Sequence, residues 1–254
     1  MKQKIKKWTL LLMATGLLCL GLLVGMVLNP TLLYAHKSIV GNYTIYHNTP
    51  LDKYLILRLN DAAELIKTSE LYNSDVRFEI CLNDGSWYPS LIQKLQGQAF
   101  AWGFYNKVVL NGNLNCKDNY VLLNGYKWNL TQLIAHEETH CLQFYKFGFW
   151  KSNPIASIPK WKWEGYAEYI ARQNQDQKDL SKNIARLNKA IKRDSHEWGI
   201  SFTDSTFAAK EYFNYWLLNQ YCLDIKKMTY VNLVIDTTGE QTRRQQMMNW
   251  YEKQ

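Results

Sequence analysis

Residues 136–140 read His136-Glu137-Glu138-Thr139-His140, inside a segment, Leu130 to Phe147, whose composition predicts one helix. Two histidines four apart fall on one helix face, a turn above each other. Two imidazoles so placed can grip one Zn²⁺. The glutamate beside the first histidine can then take a proton from a water on the metal. Downstream comes Trp163-Glu164-Gly165-Tyr166-Ala167-Glu168-Tyr169, again helical in character, with carboxylates at helical spacing. Two histidines from one helix and a carboxylate from the next make the His₂Glu set of a zinc site with one open position.

These two segments resemble the gluzincin metallopeptidases, in particular the small bacterial peptidase-MA-like group, in which HExxH is followed by a helix reading E-G-x-A-E-Y. The resemblance extends loosely over residues 75–252. It includes the aromatic-rich stretch Phe207 to Tyr221 and the closing run that contains Asn249-Trp250. It implies that His136, His140 and Glu164 bind zinc, with Glu164 chosen because it directly precedes Gly-x-Ala. Glu168, one turn on, would hold a histidine ring from behind, most naturally His136; the reverse assignment of the two glutamates stays open. Glu137 would be the general base. Gly165 would let the ligand helix approach the histidine helix. For an oxyanion-stabilising group, Tyr212, Tyr215 and His196 are available, none within a diagnostic motif.

Two residues depart from the pattern. Glu138 stands where such helices generally carry an uncharged side chain, although its helix angle turns it away from His136. Phe207 stands where the family often has tyrosine. Both weigh toward an alternative: a catalytically inactive zinc-containing module that binds an envelope protein or peptide. A third reading is a zinc hydrolase acting on another envelope bond.

The rest of the chain sets the frame. Its 254 residues suit one domain with an appendage, and 47% apolar content permits a sizeable core. The net charge is +8, but Lys2, Lys4, Lys6 and Lys7 supply four of those charges. The remainder is too weak and scattered for a nucleic-acid binder. Those lysines precede an uncharged apolar run from Trp8 to Leu28, long enough to span a membrane. The positive-inside rule keeps the lysines cytoplasmic and places the following residues outside. The competing reading is a long signal peptide cleaved after Leu33-Tyr34-Ala35, which would release the domain. Residues 1–28 are thus read as cytoplasmic lysines and signal anchor, 29–50 as a turn-rich linker, and 51–254 as the extracytoplasmic domain. Cys81, Cys116, Cys141 and Cys222 permit two disulfides in any of three pairings; buried free thiols are the other possibility.

Periodicity predicts an amphipathic helix over Tyr54 to Leu71 and a strand over Val76 to Cys81. It also predicts a hairpin of Ala99–Phe104 with Lys107–Leu110, a loop over Asn111–Asn115 and a strand at Tyr120–Leu123. Further helices fall at Lys162–Arg172, Leu180–Arg193, Lys210–Cys222 and Glu240–Tyr251. Strands first and helices later imply an α+β domain, a small mixed sheet followed by a helical zincin-type half. In peptidases that the chain resembles, a strand before the metal helix runs beside the bound peptide. The sum is an expectation of a membrane-anchored extracytoplasmic zinc metallopeptidase acting on a peptide or protein.

Overall fold

The structure, a computed structural model, describes residues 2–174, 177–193, 198–202 and 205–254, with side chains from Trp8 onward. It is a mixed α+β fold preceded by an apolar helix, α1 (Lys2–Leu28). Within α1, Trp8–Leu28 is long and apolar enough to cross a membrane, and its side chains are exposed except toward its last turn, where they are half-buried.

The main sheet has five strands: β1 (His36–Val40), β2 (Tyr43–His47), β3 (Phe78–Cys81), β4 (Ala101–Phe104) and β5 (Lys107–Leu110). Their spatial order is β1-β2-β3-β5-β4. β2, β3 and β5 run parallel, while β1 and β4 pair antiparallel at the two edges. Side chains alternate faces along a strand. Ile45, Ile80 and Val108 therefore face one core, together with α2 (Lys53–Ile66) and α4 (Leu130–Phe147). Tyr46, Cys81, Trp102 and Val109 face a second, smaller core with α3 (Tyr88–Gln96). The sheet thus separates the histidine-bearing helix from the layer that meets the end of α1.

Residues 29–50, expected as a linker, belong to the folded body. A 3-10 turn at Pro30–Leu33 leads into β1 and β2, which pair with Val40 opposite Tyr43 across the Gly41-Asn42 turn. Gly41 has φ +56°, a conformation glycine adopts freely. A glycine-containing turn flanked by Ile39-Val40 and Tyr43-Thr44-Ile45 is a hairpin signature that polar composition obscured.

A second, antiparallel sheet, β6 (Asn113–Asn115), β7 (Tyr120–Leu123) and β8 (Tyr126–Asn129), runs straight into α4. Its first strand occupies the end of the expected Asn111–Asn115 loop. Asn129 caps α4, its side chain accepting from the backbone N–H of Gln132, and Gly148 ends the helix. α5 (Lys160–Ala171) lies between α4 and α7 (Lys210–Gln220), with α6 (Leu180–Arg193) packed on α7. A two-stranded ribbon, β9 (Gly199–Ser201) and β10 (Phe207–Ala209), precedes α7. Phe207, expected within the aromatic helix, is therefore strand. A π-turn (Tyr221–Ile225), α8 (Tyr230–Ile235) and α9 (Glu240–Tyr251) close the chain.

Two further expectations are corrected. Gly165 does not serve the contact with α4. A Cβ there would come within 2.6 Å of the Tyr215 carbonyl and collide with Asn219, so this glycine lets α5 approach α7. The cysteines form no disulfide. Cys81, Cys116, Cys141 and Cys222 are buried free thiols, and Cys19 is exposed on α1.

Candidate metal centre

α4 is enclosed on every side: each residue from Leu130 to Gln143 is buried. Its histidines project toward α5. His136 Nε2 and His140 Nε2 lie 3.1 Å apart, and Glu164 Oε2 is 3.3 Å and 3.1 Å from them. Among the described residues these three form the one group of His, Cys, Asp or Glu side chains able to hold a metal ion. The triangle has a simple meaning. Ligands about 2.0 Å from a tetrahedral ion are separated by about 3.3 Å. The three atoms fit one face of such a tetrahedron and leave the fourth corner open.

Both rings are held from behind. Glu168 Oε1 sits 3.2 Å from His136 Nδ1, an electrostatic contact rather than a well-aligned hydrogen bond. Its other oxygen accepts from Arg172 Nε at 2.6 Å. Arg172 is itself buried, its guanidinium 5.3 Å from the ring centres of both Phe202 and Trp216. His140 Nδ1 lies 2.7 Å from Gln143 Oε1. The Gln143 amide nitrogen donates to the Trp163 carbonyl at 3.0 Å and contacts the Tyr230 hydroxyl at 2.6 Å. The amide orientation follows: Oε1 must accept, so His140 carries its proton on Nδ1 and turns the Nε2 lone pair into the triangle. Trp163 stacks on His140, ring centres 5.9 Å apart and planes 13° from parallel. Sequence reasoning missed Gln143. The available signal was a polar side chain one turn beyond His140 on the same helix face.

The charges are tightly coupled. Burial alone would lower His136, but its contacts with Glu164 and Glu168 push it up to about 10. Burial would raise Glu164 and Glu168. The two histidines hold Glu164 well below the carboxylate range, and Arg172 with His136 holds Glu168 at about 2. Glu137 goes the other way. Burial raises it, and His136, His140 and the Gly103 backbone N–H only reduce that rise.

Glu137 borders β4. A side chain at Gly103 would collide with the Glu137 carbonyl, so glycine allows β4 to lie directly on α4 at this residue. Of the candidate oxyanion groups, Tyr212 comes to the site, its ring 6.0 Å from His136. Burial, then Glu164, Glu137 and Glu168, keep its hydroxyl protonated far above neutral pH. Tyr215 donates instead to Glu211 at 2.6 Å. His196 lies outside the described residues.

Glu138 points into the core on the side of Tyr43, fully buried, with neither carboxylate oxygen hydrogen-bonded. Burial pushes it up to about 8; the Tyr43 hydroxyl, which donates to the Leu59 carbonyl at 3.0 Å, offsets this only in part. Because the folded-state value is raised, the stability it supports is complete below about pH 4.5 and is lost as pH rises through 8. We expect Glu138→Gln to stabilise the protein by about 3 kcal/mol at pH 7 and to be nearly neutral at pH 4. Thermal unfolding at the two pH values checks this; an equal effect at both would rule out a protonated core carboxyl.

In comparison with known proteins, no protein-family profile and no curated protein sequence matches this chain.

Proposed function

We propose that the chain is a membrane-anchored, extracytoplasmic zinc metallopeptidase of the gluzincin type. The observation that carries this reading is the triangle of His136 Nε2, His140 Nε2 and Glu164 Oε2 with Glu137 beside it. These three residues would hold the ion. When bound, zinc would polarise a peptide carbonyl and acidify a water molecule. Glu137 would be the proton carrier of the site, accepting a proton from the attacking water on its carboxylate and delivering it to the departing amine nitrogen. Burial raises the Glu137 pKa, the direction that strengthens a carboxylate as a proton acceptor. Tyr212 stays protonated and can donate to the oxygen that gains charge.

A peptide as substrate is supported by β4. It is the edge strand of the main sheet, the kind of element to which an extended chain can add, and it touches α4 at Glu137. Glu138 gives no support to an inactive module, because it is turned into the core away from the triangle.

The test is a metal and activity measurement on the full-length protein. It should carry about one zinc per chain. It should hydrolyse members of a broad peptide library, lose that activity to a chelator, and regain it with zinc. Protein without stoichiometric metal, or hydrolysis indifferent to the chelator, would count against the reading.

The anchor is supported by contacts that join residues ahead of the candidate cleavage site to the folded body. Tyr88 Oη donates to the Val27 carbonyl at 2.7 Å and Ser86 Oγ to the Leu33 carbonyl at 2.8 Å. Tyr34 Oη donates to the Leu82 carbonyl at 2.8 Å. Cleavage after Ala35 would strip Val27, Leu33 and Tyr34 from the second core, which they pack against. The intact mass of protein taken from membranes should therefore include residues 1–35; a mature chain beginning at His36 would replace the anchor with a signal peptide.

A further inference from the structure

We infer that the folded body is seated on the lipid surface through α3, and does not hang from α1 on a tether; this rests on the reading of Trp8–Leu28 as a retained membrane span. The decisive contact is the hydrogen bond from Tyr88, the first residue of α3, to Val27, in the last turn of the apolar run. A helix of 21 residues at 1.5 Å per residue is about 32 Å long, close to the hydrocarbon thickness of about 30 Å. No length is left over to lift Val27 clear of the membrane. The start of α3 therefore lies where α1 leaves the hydrocarbon.

The outward side of α3 suits that position. Tyr88 and Ile92 face the second core. Trp87, Leu91 and Leu95 recur at four-residue spacing along the adjoining side. Trp87 and Leu95 are each 51% exposed, Leu91 is half-buried, and Lys94 is exposed beside them. Leu32, in the turn that connects α1 to β1, is 72% exposed. Tryptophan and tyrosine favour the boundary between headgroups and acyl chains, and a lysine ammonium beside an apolar stripe favours anionic headgroups. The partner is therefore a bilayer surface, continuous with the one that α1 crosses. α4 and its histidines lie on the opposite face of the main sheet and are held away from the lipid.

The experiment uses the full-length chain labelled with 5-fluorotryptophan in lipid nanodiscs containing phosphatidylglycerol. Trp8→Phe, Trp87→Phe and Trp150→Phe assign three of the ten tryptophan signals by their disappearance. Spin-labelled lipid is then added to the discs. We expect the Trp8 and Trp87 signals to be lost to paramagnetic broadening. Trp150, exposed in the turn after α4, should stay sharp. Loss of Trp8 alone overturns the seating and leaves the anchor intact. Equal broadening of Trp87 and Trp150 reports a body tumbling on a tether and also overturns it. Persistence of all three signals removes the anchor and the seating together.

Discussion

Glu137→Gln is expected to fold, to keep its zinc, and to lose peptide hydrolysis by about 10²–10⁴-fold, the range that removal of a general base implies. The argument rests on where the carboxylate sits. The ion would be held by His136, His140 and Glu164, whose ligand atoms already lie 3.1–3.3 Å from one another. Glu137 is not part of that triangle, so its amide leaves the donor set unchanged. The residue is buried with its backbone against Gly103 of β4, and glutamine has the same shape as glutamate. What disappears is the ability to accept a proton. Zinc content and the thermal midpoint, read beside the turnover of any chelator-sensitive peptide, separate this from misfolding. A variant that turns over within a few-fold of the parent would assign the base elsewhere.

The second large effect distinguishes the two glutamates of α5. Glu164→Gln should weaken zinc binding by far more than Glu168→Gln, because Glu164 Oε2 belongs to the triangle while Glu168 contacts the far nitrogen of His136. For Glu168→Gln the expected loss is roughly 10–100-fold, as for other partners that orient a ligand from behind. Gln143→Ala should fall in the same range, because Gln143 fixes the His140 tautomer. Competition against a chromogenic chelator reads all three. If Glu168→Gln strips the metal and Glu164→Gln does not, the roles are exchanged.

Much of this was legible in the sequence, and what was not has a physical reason. The helices over Leu130–Phe147, Leu180–Arg193 and Glu240–Tyr251 have the predicted bounds, since periodicity, caps and breakers agree there. The β4–β5 hairpin around Tyr105-Asn106 was likewise readable. Residues 29–50 were not, because β1 and β2 carry polar residues and two histidines, and pairing with β3 is a long-range contact that local pattern does not report. α3 was missed because its nine residues bury only one side, and α8 because six residues are too few for a periodic signal. At the site, the His and Glu set was carried by spacing within single helices. Gln143 and Arg172 stand one turn from His140 and Glu168 on the same helices, a spacing open to reading but marked by no motif, whereas the choice among the tyrosines depends on contacts between helices distant in sequence. Gly165 was noticed for the right property, close approach, and assigned to the wrong neighbour.

The backbone contact between β4 and α4 at Gly103 has a bearing on selectivity. On the proposed reading, a substrate laid along β4 is gripped by its own amide groups, which every peptide shares. Main-chain pairing of that kind sets the depth at which a bond enters and is blind to sequence. Discrimination among substrates would then fall to the side chains that flank a chain laid along β4. Swapping those would retune preference while the distance from scissile bond to Glu137 stayed the same.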